Sequence, residues 1–485
     1  MRIRRVVKIG AAASAAATAA TAAAAAVALR DEDRRHRVER RVRIMRLTVH
    51  RAAHFAVVKV KGRGADEEER ARLDEQFAIR TAQDVAATLG GMKGAIMKAG
   101  QMLSFIADGL PPEAQAALAT LQQDVPPMAP SLAAGVIKEE LGQDPEHLFL
   151  EWDPVPLGAA SIGQVHKAVT RDGRVVAVKV QYPGVDKAIK SDLDNAEMLY
   201  GLFASFALKN LDVKSLVDEL RARMADELDY RLEAKLQMEF VERYRKHPFI
   251  HVPEVVPELS TQRVLTSEWV DGMRFDEFRE TVDEATRQKA AEVLFRFAQG
   301  SIQHFHVFNG DPHPGNYIFH RDGTVTFLDF GLVKRWNPGE LESLTGILDR
   351  ILENDAEGTV REAEKANFLR TGHGLDPQHV FDYVSTPYEP FMVDRFTYTK
   401  DWTSNALSRI IDVAGEYSDV MQVLNMPPHY VILDRVVWGM SALLGRLNAT
   451  NDWGGLLAEY RKGADPVTPL GEAEAEWRRA QQASR

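Results

Sequence analysis

Three features of the sequence predict an α+β fold with a small β-rich lobe, a larger helical lobe and a helical extension in front. Strand-like alternation of β-branched residues is concentrated between Ser161 and Val180 and returns at Arg263 to Asp271. Past Thr281 the pattern is mostly helical to the end, and from about Glu67 to Gln123 a helical pattern precedes the first strands. Strands first and helices later make a two-lobed arrangement. The 485 residues are 45% hydrophobic, 8% aromatic and 27% charged, which is ample apolar material for a core. Sixty Lys plus Arg against 70 Asp plus Glu give a net charge of -10, so no global basic field exists to hold nucleic acid. The absence of cysteine excludes disulfides, thiolate zinc sites and cysteine nucleophiles.

The elements follow in chain order. Arg2, Arg4, Arg5 and Lys8 precede an uncharged run, Ile9 to Leu29, in which 14 of 21 residues are Ala. The run is long enough to span a bilayer, but alanine is only marginally apolar. A membrane anchor, a signal-like segment, an organellar transit peptide and a low-complexity tail therefore stay open. The stretch Arg30 to Arg51 carries nine Arg against four acids. Positive-inside logic then leaves the bulk of the chain cytoplasmic and membrane-associated. The expected organisation is residues 1-51 as an Ala-rich anchor or targeting segment with its Arg-rich stretch, and 52-130 as the helical extension. Residues 131-272 form the N-lobe, 273-460 the helical C-lobe and 461-485 a C-terminal tail.

Breaks at Gly109 to Pro112 and Pro126 to Pro130 interrupt the extension. Ser161 to Thr170 and Val175 to Val180 read as a β-hairpin turned through Arg171-Asp172-Gly173. A helical region from Asp212 to about His247 follows, then a strand from Arg263 toward Gly272. A second hairpin, Tyr317 to His320 and Thr324 to Leu328, turns at Asp322-Gly323.

Alternation puts Val175, Ala177 and Lys179 on one strand face and Val176, Val178 and Val180 on the other. Lysine is depleted in strand interiors, and Val-Ala-Val-Lys after a Gly-containing hairpin matches the strand whose Lys holds nucleotide phosphates in kinases. Downstream, Gly310-Asp311-Pro-His313-Pro-Gly-Asn316 keeps the Asp-x-x-x-x-Asn spacing of a kinase catalytic loop, and Asp329-Phe330-Gly331 follows a strand. Divalent ions that bridge phosphates need oxygen ligands, which Asn316 and Asp329 supply, while Asp311 would orient the attacking group. Each motif alone is compatible with a turn; their order and context carry the reading. A helix carboxylate must also position Lys179, and Asp226-Glu227-Leu-Asp229-Tyr-Arg-Leu-Glu233 offers several. At about 100° per residue Asp229 and Glu233 share a face and Glu227 points elsewhere. A solvated acidic face paired with Arg223, Arg231 and Lys235 is the alternative.

With these motifs in place the chain resembles the UbiB family of atypical kinase-like proteins, also called ADCK or AarF. Lys98-Ala99-Gly100-Gln101 is similar to the family's Lys-x-Gly-Gln motif, Pro156 to Ala168 to its alanine-rich loop, and Glu227-Leu-Asp229 to its Glu-x-Asp. Asn309-Gly-Asp311-Pro-His-Pro-Gly-Asn316 resembles its catalytic loop, and Pro427-Pro428 and Arg435 its C-terminal helices. The resemblance runs from about residue 90 to 450. It implies a protein-kinase-like fold whose glycine-rich nucleotide loop is replaced by Gly158, Ala159, Ala160 and Ser161. It implies that N-terminal helices cover the place of a protein substrate, so that Lys98 and Gln101 point into the active site. Glu233 would be the partner of Lys179, and Glu227 and Asp229 would support the Lys-x-Gly-Gln segment or the metal site. Ala177 and Lys179 would face the nucleotide, and Glu268 and Val270 resemble the hinge that meets adenine. Gly158 stands where the first of three alanines is usual, and glycine relaxes the backbone of that loop.

The implied cofactors are ATP or ADP with Mg²⁺ or Mn²⁺. The implied activity is an atypical kinase or ATPase serving membrane lipid or isoprenoid-quinone metabolism, with a nucleotide and a membrane lipid or lipid-like molecule as partners. A nucleotide-gated scaffold without catalysis and a conventional protein or small-molecule kinase remain as alternatives. Against the last, no Arg precedes Asp311 and no Ala-Pro-Glu follows Asp329.

The N-terminal reading is testable by fractionation in low and high salt, comparing the full chain with one starting at Ala52. Each basic residue near an anionic leaflet contributes about 1 kcal/mol that salt screens, whereas a spanning helix is indifferent to ionic strength. Salt-resistant pelleting lost on truncation is the result expected of an anchor. Salt-released pelleting assigns the arginine stretch, and soluble full-length protein refutes both.

Overall fold

Alternating burial along two long strands builds the sheet of the N-lobe. The computed structural model describes residues 128–160, 162–187, 228–411, 415–425 and 430–483. The Ala-rich run, Lys98, Gln101, Ser161, Glu227 and Pro427-Pro428 lie outside the described residues. Two compact units divide the chain, and the larger comprises Met128–Gly158, Gly163–Gln181 and Asp226–Arg485. The smaller comprises Met1–Pro127, Ala159–Ile162 and Tyr182–Ala225; its described residues include a turn in which the Val185 N–H donates to the Tyr182 carbonyl at 3.2 Å.

Helix α1 (Pro130–Leu141) opens on a proline and ends at Gly142, whose φ of 80° lets its N–H close on the Lys138 carbonyl. The single turn α2 (Pro145–Leu148) leads into β1 (Phe149–Trp152) and the short β2 (Gly158–Ala160). The expected hairpin is present as β3 (Gly163–Thr170) and β4 (Val175–Gln181), turned at Gly173 with φ 86°. Val176, Val178 and Val180 are buried while Ala177 and Lys179 are partly open, as the alternation requires. Two polar residues of β3 are fully buried and satisfy each other. Gln164 accepts the Met128 N–H at 2.9 Å and meets His166 Nε2 at 2.8 Å. The other His166 nitrogen meets the Asp153 carbonyl at 2.9 Å. Burial pushes the imidazole pKa down, in keeping with a neutral ring that donates from one nitrogen and accepts at the other.

Helix α3 (Tyr230–Arg243), the two-residue β5 (Ile250–His251) and β6 (Val264–Glu268) follow. The main path of the N-lobe sheet is β1-β3-β4-β6, antiparallel throughout. The strand expected from Arg263 onward is β6.

The C-lobe starts with α4 (Phe275–Thr281) and α5 (Glu284–Gly300). Asp283 caps α5 by accepting the Thr286 N–H at 2.7 Å. A π-helical turn, Ser301–Phe305, and a left-handed His306 then redirect the chain into β7 (Val307–Asn309). The second expected hairpin is β8 (Tyr317–Phe319) and β9 (Val325–Phe327), turned at Gly323 with φ 80°. Two pairings here were not expected from the sequence: β5 lies parallel to β9, and β7 pairs with β10 (Val333–Arg335). The rest is helical, α6 (Glu340–Leu352), α7 (Ala356–Lys365) and α8 (Pro377–Val384), then β11 (Phe396–Thr397), α9 (Lys400–Ile411), α10 (Ser418–Val423) and α11 (Val431–Arg446). A short β12 (Thr450–Asn451) pairs with β11 before α12 (Trp453–Arg461) and α13 (Pro469–Ala483). The stretch expected as a C-terminal tail is thus largely helix α13.

Aromatic rings fill the centre of the C-lobe, with Phe297 stacked on Phe327 at 3.6 Å and Phe240 of α3 against Phe330 at 4.7 Å. Beside them lies a wholly buried cation. Arg296 of α5 is held by Glu292 at 2.7 Å, by Glu459 of α12 at 2.8 Å and by Glu474 of α13 at 3.0 Å. A Cβ on Gly471 would stand 2.6 Å from the Arg296 guanidinium, so α13 approaches through a glycine. Replacing Arg296 by alanine would leave three carboxylates without their cation, and a loss of about 3–5 kcal/mol in urea unfolding is expected. A loss well under about 1 kcal/mol would show that the helices hold without it.

Candidate active site

Lys179 stands in the middle of β4, and the carboxylate that meets it comes from the first turn of α3. Lys179 Nζ donates to Glu233 Oε1 at 2.8 Å and Oε2 at 3.0 Å, and Asp329 Oδ2 lies 3.7 Å away. The Tyr230 ring lies 4.9 Å from the same ammonium. Burial works against the charged amine, yet Glu233 and Asp329 outweigh it and raise the Lys179 pKa well above its usual value. Helix α3 is fixed from several sides: Gln237 donates to the Pro253 carbonyl at 2.7 Å, and Phe240 packs on Phe330 of the Asp-Phe-Gly motif.

Asp229 corrects the helical arithmetic. The helix begins at Tyr230, and Asp229 is its cap in extended conformation, accepting the Arg231 N–H at 3.1 Å and pairing with the Arg231 side chain at 2.8 Å. A carboxylate that can satisfy an open amide at a helix start does so in preference to continuing the helix. Asp229 therefore does not share a helical face with Glu233.

The loop between β7 and β8 carries Asp311 and Asn316. Asn309 ties this loop to the Asp-Phe-Gly segment, since its Oδ1 accepts the Asp311 N–H at 2.8 Å and its Nδ2 donates to the Asp329 carbonyl. Gly310 has no room for a side chain: a Cβ there would meet Ile432 at 2.6 Å and Leu332 at 3.1 Å. Asn316 Nδ2 donates to the Asp311 carbonyl at 3.1 Å and to its Oδ2 at 3.3 Å. That orientation leaves the amide oxygen for another partner. Asp311 Oδ1 accepts from Arg435 of α11. His313 Nδ1 accepts the Gly315 N–H at 3.1 Å, a bond internal to the loop, and burial lowers its pKa. Asp329 Oδ1 accepts the Gly331 N–H at 2.9 Å, which orients the carboxylate.

Lys179, Glu233, Asp329, Asp311 and Asn316 therefore form one connected cluster, with Ala177 on the Lys179 face of β4. Gly158 and Ala160 form part of β2, and Ala159 lies between them. At the expected hinge, the Glu268 N–H donates to the Glu254 carbonyl at 2.7 Å, and Trp269 N–H to Val175 at 3.1 Å. The Glu268 carboxylate turns to His251 at 3.1 Å. Among the described residues the Val270 N–H has no backbone partner. Two contributors carried no assigned role in the sequence reading. Asn309 was legible only as a neighbour of Asp311, and Arg435 lies 124 residues beyond Asp311, where no local pattern links them.

Residues 120–363 match the family described as the ABC1 atypical kinase-like domain. The chain belongs to this family. The UbiB-type resemblance and the two-lobed kinase-like fold are thereby borne out. The Arabidopsis thaliana protein named ACTIVITY OF BC1 COMPLEX KINASE 1, chloroplastic, is 34% identical over 63% of this chain and 45% of its own length. The Caenorhabditis elegans atypical kinase coq-8, mitochondrial, is 29% identical over 79% of this chain and 51% of its own. The chain thus spans about half the length of these curated relatives. The solved structure of Rv3197 with erythromycin from Mycobacterium tuberculosis is 31% identical, with a TM-score of 0.60, covering 81% of this chain and 98% of that one. No helix among the described residues is long and apolar enough to cross a membrane.

Substitutions of Asp329 by Asn and of Asn316 by Ala are each expected to remove the thermal stabilisation given by ATP with Mg²⁺. At ligand about 100-fold above Kd the wild-type gain is about 2.7 kcal/mol. An undiminished shift in either variant would show that the oxygen atoms lost are not metal ligands.

Proposed function

We propose that the protein is an ATP-dependent kinase or ATPase of the ABC1 type, using Mg²⁺ or Mn²⁺. The observation that carries this reading is the Lys179 ammonium bound to both Glu233 oxygens, 3.7 Å from Asp329. An ammonium held in that way presents its remaining donor to phosphate oxygens. The Asp329 carboxylate and the free amide oxygen of Asn316 are hard oxygen donors of the kind Mg²⁺ takes, with phosphate oxygens and water completing its shell. When bound, the metal neutralises charge on the phosphates. Asp311 orients the attacking hydroxyl or water, and Arg435 and Asn316 hold its carboxylate in place. The adenine edge would meet the Val270 amide.

The relatives named atypical kinases support the phosphotransfer class, and those named chloroplastic or mitochondrial support organellar targeting over a cytoplasmic catalytic domain. The resemblance to the UbiB family supports an acceptor or effector drawn from membrane lipids or isoprenoid-quinone metabolism. A second reading, a nucleotide-gated scaffold, rests on one observation: both Asp311 oxygens are engaged by neighbouring side chains.

Purified protein is expected to lose ATP in a Mg²⁺-dependent manner, measured with and without lipid vesicles, and Asp329→Asn to fall to background. ATP binding without turnover in any condition would favour the scaffold. Equal turnover by Asp329→Asn would overturn the assignment of the site, and robust phosphorylation of a generic peptide library would point to a conventional kinase.

A further inference from the structure

Helix α13 carries Glu474, Trp477, Arg478 and Gln481 at helical spacing i, i+3, i+4 and i+7, so the four share one face. That face sits on the far end of α3, the helix whose first turn supplies Glu233. Trp477 Nε1 donates to the Arg245 carbonyl at 3.0 Å, and Gln481 Nε2 donates to the same carbonyl at 2.8 Å. The Trp477 ring meets His247 edge-on at 4.4 Å and lies parallel to Tyr244 at 6.3 Å. The carbonyl at Arg245 lies just past the end of α3, where helix ends leave acceptors without intrahelical donors. Two side chains of α13 satisfy it.

The same junction reaches the catalytic loop. The Tyr244 hydroxyl bonds the Phe297 carbonyl at 3.1 Å and Ser301 Oγ at 2.8 Å, at the start of the π-helical turn that feeds β7 and then Asp311. Arg478 contacts His304 within that turn. Glu474 and Thr468 anchor the start of α13 on buried Arg296 of α5, at 3.0 Å each. The helix is therefore fixed at one end to the C-lobe and holds the end of α3 with the other.

We infer that Trp477 and Gln481 are positioning residues for the Lys179–Glu233 pair, acting through the length of α3. The inference rests on the nucleotide-binding reading of that pair. A helix clamped at its C-terminal end and packed at Phe240 on Phe330 has little freedom to swing its first turn away from β4. Releasing the clamp lets the α3 start, and Glu233 with it, sample positions out of reach of Lys179.

The test uses the full chain and four proteins: wild type, Trp477→Ala, Glu233→Gln and the double variant. Each is titrated with ATP and Mg²⁺ by thermal shift, and its backbone amide exchange is measured without nucleotide. Trp477→Ala is expected to weaken nucleotide binding roughly fivefold while keeping a cooperative melt. In the Glu233→Gln background the same change should add nothing further, because the pair it positions is already broken. Exchange in Trp477→Ala should quicken as far as residues 230–234. Faster exchange confined to residues 243–247, or losses from the two substitutions that simply multiply, would overturn the inference and leave Trp477 a local brace. Wild type that binds no nucleotide would overturn the functional reading instead, and the exchange data would still decide whether α13 controls the start of α3. A Trp477→Phe variant guards against misfolding: it keeps an aromatic ring at the position, removes the bond to Arg245, and is expected to show a smaller change of the same sign.

Discussion

An ammonium buried inside a β-sheet lobe has to be paired, and the rest of this structure is arranged around that requirement. Lys179 exposes 15% of its side chain and Glu233 7%. Removing either partner would take away the counter-charge 2.8 Å from the other in a poorly solvated place. Glu233 comes from 54 residues further along, so satisfying Lys179 fixes where α3 must lie against β4. Once α3 is there, Phe240 falls on Phe330, and the Asp-Phe-Gly segment is drawn to within ionic reach of Lys179. Packing and electrostatics thus specify the same helix position, which is what gives a sequence one structure rather than several.

Charge balance in the cluster bears on what it can bind. Among the described residues, Lys179 and Arg435 stand beside the carboxylates Glu233, Asp311 and Asp329. Under the proposed nucleotide reading, a divalent ion would add positive charge beside these acids, and the Asp329 and Asn316 oxygens are donors of the kind it takes.

Much of this was legible in the sequence because it is local. The period of two placed Val176, Val178 and Val180 inside and Lys179 on the open face, and the turns at Gly173 and Gly323 have the left-handed backbone that glycine permits. Asp311, Asn316 and Asp329 were legible as a set because they sit within twenty residues on one loop and the strand pair that follows it. The Glu233 assignment came from family resemblance, since several acids compete within one turn. What was illegible is non-local or too short to have a period. Strand β5 is two residues long and pairs with β9, 75 residues further on, Ile250 opposite Val325. Arg435 reaches Asp311 from a helix near the other end of the chain. Asp229 was misplaced because the arithmetic assumed a helix had already begun, whereas an aspartate beside open amides tends to begin one.

Among the described residues, Arg296 and Lys179 are both cations held by carboxylates, and the contrast between them is one of saturation. Arg296 is wholly enclosed, and its guanidinium is matched by Glu292, Glu459, Glu474 and Thr468, so no donor faces a ligand. Such a network fixes how α5, α12 and α13 pack, and a fully satisfied one offers nothing to bind. Lys179 is left incomplete. An ammonium has three donors, two are used on Glu233, and Asp329 at 3.7 Å is beyond hydrogen-bond distance. Saturation and access, more than charge, distinguish Lys179 from Arg296.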